Sequence, residues 1–402
     1  MSTTLARPIA PGSGAFIALI AAMMTMTAMT IDINLPSIPT TAAELGASLT
    51  TSQLTVTIFF GGFAVGQLFW GPLSDRLGRK PCILAGTVVY VIASIGCTLA
   101  PDMTTLLALR SVQGIGAGAG SVLGRAIIRD LFDGPRMARM LSLVMAAFIT
   151  APVVAPTIGA LILSVASWRW IYGFLTVYGL VMLVLVALFL EESLKIRNPH
   201  ALGIGPLLRA FGAVFRDPRS RAWAVIVVCV FGTLTVYLTN SSAVLMEGYG
   251  MTASEFGGAF ALVALCSSVG NLLNSRLVRG VSLVRLIHRA LIAAILAAAL
   301  ALGAAVTGIG GVWALVLAIG LFFIAFGVVA ANGTTLALGP HATHAGAAAA
   351  ALGFGQTVVP ALIGGIVAAF YDGTAVPMLA TILVLFVLCW LIALCTGPAA
   401  AG

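Results

Sequence analysis

Charge is scarce in this chain. Only 8% of its 402 residues are charged, where a soluble domain carries about 25% because water must be met on its outside. No hydrophilic stretch is long enough to fold into a separate domain, which removes a soluble sensor or a soluble catalytic unit from consideration. Cysteine is sparse too. Cys82, Cys97, Cys229, Cys266, Cys389 and Cys395 all fall in apolar runs, with no C-x-x-C pair and no histidine at metal-ligand spacing, so they are expected to pack. The four histidines, His200, His288, His341 and His344, lie in predicted loops or at helix ends, which argues against a membrane hydrolase or a metal site. Basic residues outnumber acids, giving a net charge of +8 and a pI near 9.6. They never gather into a patch with interleaved aromatics, however, so nucleic-acid binding is excluded.

What the chain has in quantity is apolar sequence, at 60% of residues and a mean hydropathy of +1.13. A hydrocarbon core of about 30 Å needs about 20 apolar residues per helix. Runs broken by charge, proline or glycine clusters predict twelve spans, at 14–36, 52–72, 81–100, 105–127, 138–163, 169–190, 222–245, 254–275, 284–307, 312–337, 345–370 and 374–396. The run from Phe16 is too long for a signal-peptide core and lacks an A-x-A-like cleavage site, so it is read as the first span. The expected fold class is an all-α integral membrane protein built as two six-helix bundles, 1–190 and 222–402, joined by a polar linker at 191–221. Arg76-Leu77-x-Arg79 recurs 200 residues later as Arg276-Leu277-x-Arg279, each after the second span of its half, as a duplicated transporter should show. Lys and Arg collect in alternate loops, which by the positive-inside rule puts both termini in the cytoplasm; Arg169 is the clear exception.

The second and third spans are joined by Gly71-Pro72-Leu73-Ser74-Asp75-Arg76-Leu77-Gly78-Arg79-Lys80-Pro81. A reversal this short calls for glycines that tolerate positive φ, and Asp75 is placed to meet a neighbouring helix N-terminus. The fourth span carries Arg110-Ser111-Val112-Gln113-Gly114, then Arg125, Arg129 and Asp130. An arginine in the apolar zone faces the bundle interior or a water-filled cavity, or else snorkels to the interface; both readings of Arg110 stand. In the fifth span Pro152 and Pro156 remove backbone donors ahead of Gly159 and bend the helix. Of the twelve acids, all but Asp32 lie in loops or at helix ends. In low dielectric a carboxylate favours its neutral form, so Asp32 can bind and release a proton near neutral pH, unless Pro36 and Pro39 end the helix so close by that it stays hydrated. The second half has almost no intramembrane charge. Its polar and aromatic candidates include Tyr237, Asn240, Asn271, Phe326, Asn332 and Gln356, a wall that would hold a ligand by apolar area.

The segment from Gly71 to Lys80 matches every fixed position of G-x-L-[SA]-D-R-x-G-R-[RK] and resembles the signature of the major facilitator superfamily. That resemblance implies a gate latch formed by Gly71, Asp75, Arg76, Gly78 and Arg79, with partners in the region of His344 to Gly346 and at Asp130. Arg110-x-x-Gln113-Gly114 is similar to the superfamily's R-x-x-Q-G, to which a part in proton transfer is ascribed. Ala151-Pro152-x-x-Ala155-Pro156-x-x-Gly159 and Asp32-x-x-Leu35-Pro36 resemble the Bcr/CflA (bicyclomycin/chloramphenicol resistance) branch of the twelve-span drug:proton antiporters. The implied protein is a monomeric exporter of small drug-like molecules in a bacterial inner membrane, working by alternating access. Its partners would be substrate, protons and the lipid bilayer, with no cofactor beyond the coupling proton. Asp32 and Arg110 would form the coupling site, and Asp32, Gln113, Tyr237, Asn240, Phe326, Asn332 and Gln356 the substrate site. The alternative is export of an endogenous metabolite such as an amino acid or siderophore; symport is disfavoured by the proline-rich fifth span.

Overall fold

Inside hydrocarbon an unsatisfied backbone group costs several kcal/mol, so apolar runs of this length must close their hydrogen bonds within themselves as helices. The computed structural model describes residues 9–198, 212 and 214–396. Among these it holds twelve helices long and apolar enough to cross a bilayer, and no strand. They are α1 (Gly14–Glu44), α2 (Leu49–Leu77), α3 (Arg79–Thr98), α4 (Met103–Leu131), α5 (Gly134–Val165), α6 (Arg169–Phe189), α7 (Ser220–Gly248), α8 (Ala253–Leu277), α9 (Leu283–Thr307), α10 (Gly311–His341), α11 (Ala348–Ala369) and α12 (Val376–Cys395). Each predicted span falls on one of them. Several starts carry ordinary caps: the Ser48 side chain accepts from Thr51 N–H, Asp102 accepts from Thr105 N–H, and Thr252 with Glu255 forms a capping box. Large apolar side chains such as Ile92, Leu161, Leu296 and Leu362 are exposed, as lipid-facing positions should be.

The chain divides into two compact units, Met1–Gly203 and Ile204–Gly402. In the first, α2 packs along α4, α3 against α4 and α6, and α1 against α4 and α5. In the second, α8 packs along α10, α9 against α10 and α12, and α7 against α10 and α11. Every one of these pairings is repeated six helices later. The shared feature is a close crossing of glycines. A Cβ on Gly62 would collide with the Ser111 carbonyl and one on Gly114 would lie 2.8 Å from Phe63 N; in the second unit Gly270 meets the Ile324 carbonyl and Gly327 lies 2.9 Å from Asn271 N in the same way. Small residues let these backbones touch where no hydrophobic force would draw helices together in lipid.

Part of the linker expected at 191–221, residues 199–211 and 213, lies outside the described residues. What is described of it belongs to the units themselves: Asn198 N–H donates to the Asp75 carbonyl at 2.8 Å, while Pro218 already begins the helical run into α7. Of the cysteines, Cys395 is exposed at the end of α12 and Cys266 half-buried, whereas the other four are buried as expected.

Candidate functional site

α1 is interrupted. Regular helix stops at Asp32, a 3-10 turn occupies Leu35–Ser37, and helix resumes over Ile38–Glu44. The cause is Pro36 and Pro39, which lack an N–H but fall in the first turn of the segment that follows each, where no intrahelical partner is needed. The first span therefore does not end at 36, as the sequence suggests, but runs on to Glu44. Asp32 in turn is three residues past the midpoint of the span, about 4.5 Å along at 1.5 Å per residue. Its side chain is 4% exposed and makes no hydrogen bond or ion pair among the described residues. An interrupted helix near the middle of a span is where transporters hold ions and substrates.

α5 lies against the break. Pro152 and Pro156 are both inside this helix, and a Cβ on Gly159 would collide with the Ile33 carbonyl and lie 3.1 Å from Pro36 Cγ. The glycine is there because backbone meets backbone, one residue from Asp32.

Arg110 is fully buried in α4 and does not snorkel. Its Nη1 donates to Gln113 Oε1 at 2.7 Å, its Nε to the Thr55 carbonyl at 3.3 Å, and its guanidinium sits 4.5 Å from the Phe59 ring centroid and 5.8 Å from that of Tyr172. Nη2 has no partner. The R-x-x-Q spacing thus brings Arg110 and Gln113 together one turn apart, with aromatic faces supplying part of the compensation a carboxylate would give. Arg110 does not ion-pair with Asp32. A set of hydrogen bonds runs from Arg110 toward α1 without reaching Asp32: Gln113 Nε2 donates to Ser94 Oγ (2.8 Å) and Ser94 to the Tyr90 backbone carbonyl (2.7 Å), while Tyr90 Oη separately meets Thr30 Oγ1 (2.7 Å) on α1.

The segment Gly71 to Lys80 is largely helical, which corrects its reading as a loop. α2 continues through Leu77, and Gly78 alone turns the chain, at φ +115°. Gly71 has no positive φ and no close neighbour. Arg79 then works as a fork: Nη1 contacts Asp75 Oδ1 and Ser74 Oγ, each at 2.6 Å, and Nε contacts Asp130 Oδ2 at 2.8 Å. Asp130 also accepts from Ser193 Oγ at 3.2 Å. Arg76 is exposed and makes no ion pair among the described residues. The side chains of the His344 to Gly346 region, the other expected partner, lie outside the described residues. Glu192 was missed by the sequence reading. Its carboxylate accepts from the backbone N–H groups of Arg79 (2.9 Å), Lys80 (3.2 Å) and Leu194 (2.9 Å), capping α3 from the far end of the unit's chain. An acid just after the last span of the half was the available signal.

In the second unit Tyr237 stacks on Phe260 at 5.6 Å and meets Phe323 edge-on at 5.2 Å, and Phe326 packs on Phe323 and Phe231. Asn240 gives its amide to the Val236 carbonyl (2.9 Å) and the Gly364 carbonyl (3.4 Å). Asn332 is joined to Asn274 by two reciprocal amide bonds, 2.7 and 3.2 Å, one turn beyond the glycine crossing. Gln356 is half-buried on α11. The aromatic side chains thus form one cluster, whereas the two asparagines serve contacts between helices.

Two internally repeated six-helix units, with ionisable side chains held deep in one of them and an interrupted helix beside them, form the build of a secondary transporter. The chain belongs to the major facilitator superfamily, whose model matches residues 15–369. It is 34% identical over 356 residues to a Bacillus subtilis strain 168 protein described as an uncharacterized MFS-type transporter, YdgK, covering 87% of each chain. A bicyclomycin resistance protein homolog of Haemophilus influenzae is 31% identical over 87% of this chain and 88% of its own. The multidrug resistance protein MdtL of Escherichia coli K12 is 29% identical over 81% of both. Among solved structures, the partially occluded inward-open xylose transporter XylE of E. coli superposes with a TM-score of 0.74 at 15% identity, covering 96% of this chain and 98% of that one, and shares the fold. The protein is a multi-pass inner-membrane transporter and not an enzyme.

Proposed function

We propose that the protein exports small drug-like compounds of the bicyclomycin and amphenicol kind, several rather than one, in exchange for protons. The observation that carries this reading is the Asp32 carboxyl, buried near the middle of an interrupted span with no partner among the described residues. An ionised carboxylate there has nothing to compensate it, so proton binding and release at this group bias the conformation of α1. The names of two relatives, one for bicyclomycin resistance and one for multidrug resistance, support the substrate class. The aromatic cluster around Tyr237, Phe323 and Phe326 suits flat or apolar ligands held by area, with Asn240, Asn332 and Gln356 as polar contacts in the same unit. Arg110 acts on Asp32 at a distance, through its field.

In this scheme both termini face the cytoplasm, the monomer is the working unit, and no cofactor is needed beyond the proton. A proton entering from outside neutralises Asp32; substrate binding on the inside accompanies its release. Each proton moving down the potential contributes about 2.3 kcal/mol per 100 mV, which supports appreciable accumulation outside. The Arg79 fork and its tie to Asp130 act as a latch on the cytoplasmic ends of α2, α3 and α4. The test is a drug-susceptibility panel in an efflux-deficient bacterial host. Wild type should raise tolerance to several unrelated compounds and Asp32→Asn should raise none; full tolerance in Asp32→Asn overturns the proton site, and no tolerance with a changed exported metabolite pool overturns the substrate class.

A further inference from the structure

The hydroxyl pair between Tyr90 and Thr30 has a fixed direction. Both side chains are fully buried, with 2.7 Å between their oxygens. Thr30 owns one hydroxyl proton, and it is given to the Met26 carbonyl at 2.6 Å. Tyr90 is therefore the donor. Ser94 likewise spends its one proton on the Tyr90 carbonyl, so it accepts from Gln113, which in turn accepts from Arg110. The hydrogen bonds from the buried arginine thus end on the α3 backbone at Tyr90, and the phenol of the same residue makes a separate bond to α1.

Tyr90 is held in place from several sides. A Cβ on Gly179 of α6 would lie 2.9 Å from its ring, and one on Gly116 of α4 would lie 2.6 Å from its backbone nitrogen. The ring reaches from α3 to α1 through a gap that these glycines leave open. It meets α1 at Thr30, two residues before Asp32 and just ahead of the point where regular helix stops. Two residues on a helix are about 200° apart, so the bond grips the face of α1 opposite the carboxyl and sets its rotation. On the other side Gly159 fixes the Ile33 carbonyl.

We infer that Tyr90 is a positioning residue for the proton site, orienting Asp32 through Thr30 and tying α1 to the α3 residue on whose backbone the Arg110–Gln113–Ser94 hydrogen bonds end. The inference rests on the reading of Asp32 as that site. The titratable side chains on helices packed about this part of α1 are Tyr90 from α3, Arg110 and Arg125 from α4, and Tyr172 and Tyr178 from α6; α5 brings none there.

The test needs no identified substrate. In purified full-length protein reconstituted in lipid, infrared difference spectra across pH follow the protonated carboxyl band, assigned to Asp32 by its loss in Asp32→Asn. Tyr90→Phe and Thr30→Val should each displace the midpoint of that band by about half a pH unit or more, the double variant no further than the larger single, and Thr30→Ser should keep the wild-type midpoint because it keeps the acceptor. Unchanged midpoints in Tyr90→Phe and Thr30→Val, or strictly additive shifts in the double variant, overturn the inference while leaving the proton site standing. A wild-type protein with no titrating band that Asp32→Asn removes overturns both.

Discussion

The contact between α5 and the break in α1 makes Gly159→Ala the most informative single substitution. The new methyl would collide with the Ile33 carbonyl oxygen and lie 3.1 Å from both Ile33 C and Pro36 Cγ. Backbone atoms cannot swing aside as a flexible side chain does, so α5 must withdraw by about an ångström or the break must distort. Overpacking of this kind costs about 1–3 kcal/mol, of which the better helix propensity of alanine returns about 1 kcal/mol. The net destabilisation is up to about 2 kcal/mol, or up to about 8 °C in melting temperature at about 2–4 °C per kcal/mol for a unit of this size. Gly258→Ala on α8 is the control. No atom lies within 4 Å of its added methyl, and the position is exposed, so only the propensity gain remains and the protein should melt at or above the wild-type temperature. The two variants are to be compared by thermal melting in detergent and by drug export from cells. Gly159→Ala should melt lower and export several-fold more slowly. If it proves as stable as Gly258→Ala, helix 5 does not bear on the break and the account of that glycine is wrong.

Three further outcomes follow from other contacts. Glu192→Gln removes the charge that caps α3 and should destabilise the first unit by about 0.5–1 kcal/mol at low salt, with the difference shrinking as salt is raised; thermal melts at two ionic strengths read it. Asn332→Ala orphans the Asn274 amide and should cost about 0.6–1.7 kcal/mol, while the double change Asn274→Leu with Asn332→Leu should recover part of that loss, as measured by a double-mutant cycle on melting. Asp102 is held below the usual carboxylate range by the Thr105 backbone N–H and hydroxyl; a depressed folded-state pKa gives stability above the unfolded value that is lost as pH falls through the folded one. Asp102→Ala should therefore melt below wild type at neutral pH, with the gap closing under acid conditions below about pH 4.

The spans were legible because a twenty-residue apolar run has few alternatives in a bilayer, and Asp32, Arg110 and the Arg79 segment stood out because charge among such runs is costly. The interruption of α1 was harder to read. Proline signals the end of a helix and the first turn of the next one equally well, and only the packing of α5 decides that Pro36 and Pro39 lie within one span. Glycines were ambiguous for a similar reason: Gly78 turns the chain whereas Gly71, in the same signature, stays helical. The pairing of Asn332 with Asn274 was not legible because the two lie 58 residues apart in sequence. Tyr90 gave no signal at all, since one tyrosine in an apolar run carries no period or motif, and its importance depends on a gap opened by Gly116 and Gly179 on two other helices.

The reciprocal asparagine bond has an electrical consequence. It ties α8 to α10 with neutral groups, whereas the first unit keeps a buried cation at Arg110 and a titratable acid at Asp32. A transmembrane voltage does work only on charge that moves through it. Among the described residues of the second unit the acids and bases sit within about two turns of helix ends, so in the proposed scheme the membrane potential acts on charge carried by the first unit.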